Sequence, residues 1–348
     1  MEVVAALRSQ AEACARLGSP MYAELLDWLA DDHEAGGPTR EVLAGHEQDP
    51  GPSGLALRLA GSLHRLVLAG DEPGLARYYP TAGGTWDRVA AAPDLRDVLD
   101  RRRPELRRLL RRAPQTNEVG RAAALLGGLL RLSARWDLPV RLFELGASGG
   151  LNLNADRFRC TTEDGGAWGP ADSPVVLDPA WRGNVPPRDR GVRIVERAGC
   201  DVAPVDVATE DGRLTLASYV WPDMAARHAR LRGALELARR HPVAVLDQDA
   251  ASFVESLDLV DGAVTVVWHS VMWQYVPADQ QQRVLTALDS LGDRAGAACP
   301  LAHLFLEPVR RTPGEEHHFW LCLESWPGGG QREFLGRARP HGIPVDWD

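Results

Sequence analysis

Through residue 138, apolar positions recur at the spacing of helices. Val3, Val4, Leu7, Ala11, Cys14 and Leu17 share one face, and Gly18 stops the run. Ser19-Pro20 then supplies an N-cap and a first-turn proline for a second helix, with Tyr22, Leu25, Leu26 and Leu29 turned inward. Residues 55–68, 94–112 and 118–136 predict further helices, and no period-two strand is visible in this half. The pattern then changes. Short apolar runs at 140–145, 192–195, 243–246, 264–268, 301–306, 319–323 and 332–335 predict strands, and helical segments at 224–240, 252–257 and 278–291 fall between them. Strands alternating with helices predict a parallel α/β sheet with ligand sites at the carboxyl ends of its strands. The last two strands are joined only by Pro327-Gly328-Gly329-Gly330, too short for a crossover, so they should pair antiparallel. A stretch at about 157–190, rich in Gly, Pro and Trp, reads as an irregular lid or insert.

Composition narrows the chemistry. The 348 residues are 45% hydrophobic and 25% charged, enough apolar material for two cores. All 39 basic residues are Arg, which removes a phosphate-loop lysine, a Schiff-base lysine and a kinase strand lysine. A net charge of −9 disfavours nucleic acid and anionic membranes as partners. The dense run Arg101-Arg102-Arg103 with Arg107, Arg108, Arg111 and Arg112 shares its segment with Leu106, Leu109 and Leu110. It reads as a solvated helix face paired with carboxylates, with binding of RNA or phosphate as the alternative. Five scattered cysteines, no signal pattern at Met1-Glu2-Val3-Val4 and no uncharged apolar run near the ~20 residues of a membrane span predict a cytoplasmic protein with reduced thiols. Glu315-Glu316-His317-His318 alternates between faces of a strand and does not predict a metal site. The pattern leaves the oligomeric state open.

The strongest chemical signal is Phe143-Glu144-Leu145-Gly146-Ala147-Ser148-Gly149-Gly150-Leu151-Asn152, a strand running into a glycine loop and a predicted helix. Glycines let the chain turn tightly and let a ligand approach the main chain, and exposed N–H groups at a helix start suit polar ligand atoms. Glu144 is placed to fix an ammonium or ribose group. The loop looks like the first motif of class I methyltransferases, which bind S-adenosylmethionine (SAM). It also satisfies G-x-S-x-G, the nucleophile elbow of a serine hydrolase with Ser148 as nucleophile. Hydrolase-like sheets place strands before the elbow, whereas only helices precede this one, so the SAM reading is preferred.

Under the methyltransferase resemblance Gly146, Ser148, Gly150 and Asn152 line the cofactor. Asp201, in Gly199-Cys200-Asp201 after the second strand, takes the ribose hydroxyls. It comes 55 residues after Gly146, so the insert must loop out, and Glu196 is the fallback. Asp249-Ala250 holds the adenine edge, although a helix N-cap would equally explain Asp249. His269, ending the fourth strand, is the general-base candidate because imidazole exchanges protons near neutrality. Tyr275 stands beside it, and Trp273 is placed to wall the substrate.

The whole chain is similar to domain-of-unknown-function family 2332, a largely actinobacterial family. The resemblance rests on Gln115-Thr116-Asn117-Glu118-Val119-Gly120-Arg121, on the Glu144–Asn152 loop with Asp156-Arg157, and on the 197–206 segment. Trp221-Pro222-Asp223, His269-Ser270 with Gln274-Tyr275, and Pro340-His341-Gly342 complete it. It implies a shared fold and pocket rather than a particular reaction. Placed just before the α/β half, the 115–121 block makes Asn117, Glu118 and Arg121 substrate-contact candidates, or else a capped helix start. The expected protein is α/β. A helical domain at 1–138 precedes a Rossmann-like, class I methyltransferase-type domain at 139–348, with an insert at about 157–190 and an antiparallel C-terminal hairpin. The expected activity is SAM-dependent methyl transfer to a small molecule. The alternatives are a serine hydrolase and a methyltransferase-like binding protein without turnover.

Overall fold

The computed structural model describes residues 3–49, 53–189 and 191–348. Met1 and Glu2, from the segment without a signal pattern, and Arg190, the end of the expected insert, lie outside the described residues. The chain forms two compact units. One joins Met1–Thr116 with Thr209–His228, and the other joins Asn117–Ala208 with Ala229–Asp348.

The first unit is built from helices α1 (Val3–Arg16), α2 (Pro20–Glu34), α3 (Pro38–Leu43), α4 (Leu55–Leu68), α5 (Pro73–Ala76), α6 (Arg88–Arg101), α7 (Arg103–Leu109) and α9 (Glu210–Ser218). Ser19 caps α2 as its sequence predicts: its hydroxyl accepts from Tyr22 N and donates to Asp223 Oδ1 at 2.5 Å. Asp223 also accepts from Met21 N, so the Trp221-Pro222-Asp223 block anchors this helix start. Leu25, Leu26, Leu29, Leu59 and Leu63 are fully buried in one apolar core. The segment expected as one helix at 94–112 is two. Asp87 caps α6 ahead of it, accepting from Val89 N and Ala90 N, and Pro104 falls in the first turn of α7. The arginine run is largely spent on carboxylates: Arg101 on Glu72 and Asp97, Arg102 on Asp71 and Glu72, Arg103 on Glu41 and Asp100, Arg108 on Glu105.

The second unit combines α8 (Ala122–Arg135), α11 (Ala250–Glu255) and α12 (Ala278–Gly292) with a single large sheet. Its strands are β1 (Val140–Leu145), β2 (Arg159–Thr162), β3 (Ala167–Trp168), β4 (Val176–Gly183), β5 (Ile194–Asp201), β6 (Ala244–Asp247), β7 (Val264–Ser270), β8 (Leu301–Val309), β9 (His318–Trp326), β10 (Glu333–Ala338) and β11 (Val345–Trp347). They lie in the order β3-β2-β4-β11-β10-β9-β8-β7-β1-β5-β6. The sheet is mostly parallel, with antiparallel pairs at β8–β9, β9–β10, β10–β11 and β2–β3. The β9–β10 pair is the hairpin that the glycine-rich connection predicts. Helix α10 (Ala225–Arg240) spans the third division of the chain, between His228 and Ala229.

Two expectations change. The 157–190 stretch is not an irregular insert, because β2, β3 and β4 extend the main sheet, with β4 pairing parallel to β11. Helix α8 belongs with the sheet, so the chain divides before Asn117 rather than near residue 138. Gly127 and Gly128 are what let this helix press onto the strands. A Cβ on Gly127 would lie 2.5 Å from the Trp347 ring, and one on Gly128 2.4 Å from Leu304. The indole of Trp181 fastens the contact by donating to Ala123 O at 2.9 Å. Among the described residues no helix is long and apolar enough to cross a membrane, and all five cysteines are free.

Candidate functional site

After β1 the chain first builds β2–β4 on the far flank, then comes back to β5 and β6 on one side of β1 and to β7 and β8 on the other. The order therefore reverses between β1 and β7, and a parallel sheet opens a crevice at the carboxyl ends of such a pair. Strain marks the same place. Ser148 at φ +52° and Val271 at φ +51° are the non-glycine residues with positive φ among those described, one following β1 and the other following β7. Left-handed backbone is costly for serine and more so for a β-branched valine.

The loop after β1 is held from several directions. Gly146 (φ +64°) and Gly150 (φ +70°) make its turns. Ala147 N donates to Cys200 O, Ser148 N to Asp201 Oδ2 at 2.9 Å, and Val205 N to Ser148 O. Leu151 N donates to Asn117 Oδ1, and Asn152 Nδ2 to Glu118 O. The expected helix after the loop is a 3-10 segment at Leu151–Arg157, so no long helix dipole stands behind the loop.

Glu144 lies in β1 just before this loop, directly across from Trp268 of β7, and is only 3% exposed. Its Oε2, Trp268 Nε1 and Asn152 Oδ1 are buried atoms without a hydrogen bond of good geometry, although Trp268 and Asn152 come close enough to the carboxyl to act on it. Burial pushes the carboxyl up to about 8, and the Asp201 charge adds to the rise. Trp268, Asn152 and the positive charge of Arg121 pull the other way without cancelling it. A buried carboxyl with a spare oxygen is unsatisfied on its own, and a ligand that donates hydrogen bonds would complete it.

The acidic residues have more specific roles than their spacing shows. Asp201 ends β5 rather than following it, and its two oxygens accept from Ser148 N and Ala203 N. It shapes the loop and brings its charge close to Glu144. Glu196 lies near the start of β5 and pairs with Arg141 at 2.5 Å, which removes it as the fallback. Asp249 caps α11, accepting from Ser252 N at 2.9 Å and Ser252 Oγ at 2.7 Å. Those bonds hold its carboxyl below its usual range. Ala250 is the buried first residue of that helix.

The 117–121 block meets the site directly. Besides the contacts of Asn117 and Glu118 with the loop, Arg121 donates to Pro340 O at 2.9 Å and to Ser270 O at 3.2 Å. Arg121 thereby gathers 117–121, 340–342 and the end of β7 around Glu144. These candidates for substrate contact act as struts of the glycine loop and the end of β7.

His269 is not placed as a free base. It is 2% exposed, Nδ1 lies 2.9 Å from Glu307 Oε1, and Nε2 lies 3.0 Å from His303 Nε2. Trp273 and Phe305 stack on its ring at 5.0 and 5.4 Å. With both nitrogens engaged, it offers no lone pair to a substrate proton. Tyr275 stands half exposed in the loop after β7, and Met272 approaches Gly146 closely. The partners His303, Glu307, Glu324 and Arg332 escape sequence reading because they come from β8, β9 and the turn before β10. One signal was present: His303 and Glu307 fall on the same face of the strongly apolar run 301–306 and its continuation.

Fold and site together define a mixed α/β protein whose large sheet carries a strained glycine loop beside a buried, unsatisfied carboxyl. The chain belongs to the family described as an uncharacterized protein conserved in bacteria (DUF2332), whose model matches residues 4–347. No curated protein and no solved structure gives a match.

Proposed function

We propose that the second unit is a Rossmann-like, methyltransferase-type domain that binds SAM and transfers its methyl group to a small molecule in the cytoplasm. The buried Glu144 carboxyl carries this reading. Its unpartnered Oε2, beside Asn152 Oδ1 and just before the glycine loop, suits the ammonium of an amino-acid ligand. Gly146, Ser148, Gly150 and Asn152 would line the cofactor, with Asp201 toward its ribose and Asp249-Ala250 toward its adenine. When bound, SAM supplies an electrophilic methyl group. The chain's own part is then to align an acceptor and keep water out, with Trp273 and Tyr275 as the wall and no general base demanded.

Calorimetric titration with SAM and S-adenosylhomocysteine tests this. Micromolar binding by the wild type, lost in a folded Gly146→Arg variant, is expected. Absence of binding at millimolar ligand overturns the assignment. One observation favours the serine-hydrolase alternative, the positive φ of Ser148 within G-x-S-x-G. Against it, both ring nitrogens of His269 and of His303 are already engaged. Labelling of Ser148 by a fluorophosphonate probe would reverse that preference.

A further inference from the structure

Beside the site runs a chain of four side chains from three neighbouring strands, with His269, His303 and Glu307 buried and Glu324 partly so. Glu307 Oε1 faces His269 Nδ1 at 2.9 Å, His269 Nε2 faces His303 Nε2 at 3.0 Å, and His303 Nδ1 faces Glu324 Oε2 at 2.9 Å. Arg332 closes the far end, donating to Glu324 Oε1 from Nε and Nη2 at 2.9 and 2.7 Å. At the near end, Glu307 Oε1 also accepts from Met272 N and Trp273 N, the segment beside the glycine loop.

Three contacts of hydrogen-bond length need three protons. Two neutral imidazoles supply two, and if both point their N–H groups at the carboxylates, two lone pairs are left facing each other at 3.0 Å. That arrangement repels. Adding one proton to either imidazole, so that the pair carries three ring N–H groups, satisfies all three contacts. It also balances charge: two carboxylates, one added proton and the Arg332 guanidinium sum to zero, as a water-excluded site requires. We propose that Glu307, His269, His303 and Glu324 hold one proton more than two neutral imidazoles carry, and that this proton fixes the Trp273 segment beside the candidate site.

The surroundings are accounted for from each packed element. Phe305 of β8 lies against both imidazoles, and Trp273 stacks on His269. Arg332 lies over the Phe305 ring at 5.0 Å. Cys322 of β9, packed with Phe305, is pushed up to about 12 by burial and stays a thiol. Tyr275 of the same loop is half exposed to solvent. Burial lowers His303, with the His269 charge acting in the same direction and Glu324 opposing. Bonds from His303 and Arg332 keep Glu324 below its usual range despite its burial. Alkaline conditions should therefore draw the added proton out to solvent. The facing lone pairs must then part, and the Trp273 stack moves with them. The inference does not depend on which ligand the glycine loop takes.

The test is ring-nitrogen NMR of the full chain labelled at histidine and tryptophan, followed from about pH 5 to 9, with His269→Gln and His303→Gln giving the histidine assignments. At the acidic end, three ring protons are expected in the pair. One should be lost in a single step as pH rises, and the Trp273 indole signal, assigned by Trp273→Phe, should move with the same midpoint. In His303→Gln the amide can donate to His269 Nε2, so the added proton is unnecessary and the step should vanish. Two ring protons throughout the range, or a Trp273 signal indifferent to the step, would overturn the proposal. The wild-type proton count decides even if a variant fails to fold.

Discussion

Both units bury histidine, and they do so in opposite ways. In the helical unit, His64 is fully buried, with Nδ1 3.1 Å from Ser218 O and Nε2 2.8 Å from Thr81 Oγ1. One backbone acceptor and one hydroxyl satisfy a neutral imidazole without surplus, and burial lowers its pKa to about 3, helped by His228. In the sheet unit, His269 and His303 are enclosed by two carboxylates and share a contact that two neutral rings cannot satisfy. The same unit holds the strained Ser148 and Val271 and the unsatisfied Glu144. At His64 the helical unit buries a balanced, neutral imidazole, and its buried carboxylates Asp32 and Glu72 are paired with arginines. The sheet unit keeps charge and strain near one crevice, which is where chemistry is worth seeking.

The largest effect that sharpens this contrast lies in the apolar core. Leu25→Ala should destabilise the protein by about 2–5 kcal/mol in denaturant titration, because a fully buried side chain leaves a cavity. Next come two opposed pH dependences, each on the order of a few kcal/mol. Glu144 holds its proton in the folded protein up to about pH 8 but releases it near 4.5 when unfolded. Stability should therefore fall as pH rises through that window, and Glu144→Gln should flatten the slope. His64 refuses a proton in the folded protein until about pH 3 but takes one near 6.5 when unfolded. Stability should fall as pH drops through that lower window, with His64→Gln removing the loss. Equal slopes in wild type and variants would break the comparison. Ligand binding gives a companion reading: an ammonium captured by Glu144 at pH 7 should release nearly one proton, visible as a buffer-dependent calorimetric enthalpy. The smallest effect is Val271→Gly, which relieves left-handed strain and should stabilise by about 1 kcal/mol. Its test is whether the same variant loosens the Trp273 signal.

Local pattern was enough for what is locally determined. Ser19-Pro20 marks the start of α2, Leu55–Leu68 matches α4, and residues 140–145 with their glycine loop match β1 and its turn. Strand β5 was only half legible, since Glu196 and Arg197 break its apolar run and Gly199 resembles a turn. That placed Asp201 beyond the strand instead of at its end. Strands β2 to β4 were hidden because they carry no alternating pattern of their own and join the main sheet only through the pairing of β4 with β11, far along the chain. The general-base expectation for His269 failed for the same reason: its chemistry is set by Glu307 and by His303, whose own second partner is Glu324, and none of these neighbours is close in sequence.

Strand β11 has a consequence for how the protein is made. Three residues, Val345–Trp347, lie between β4 and β10 and, among the described residues, are the one strand that links the β2–β4 group to the rest of the sheet. Chains emerge from the ribosome N-terminus first, so residues 159–183 are exposed long before their partner strand exists. The central strands can assemble as they appear, but this flank stays an open edge until residue 347 has left the tunnel. A sheet lacking only Val345–Trp347 would therefore be unzipped along one seam.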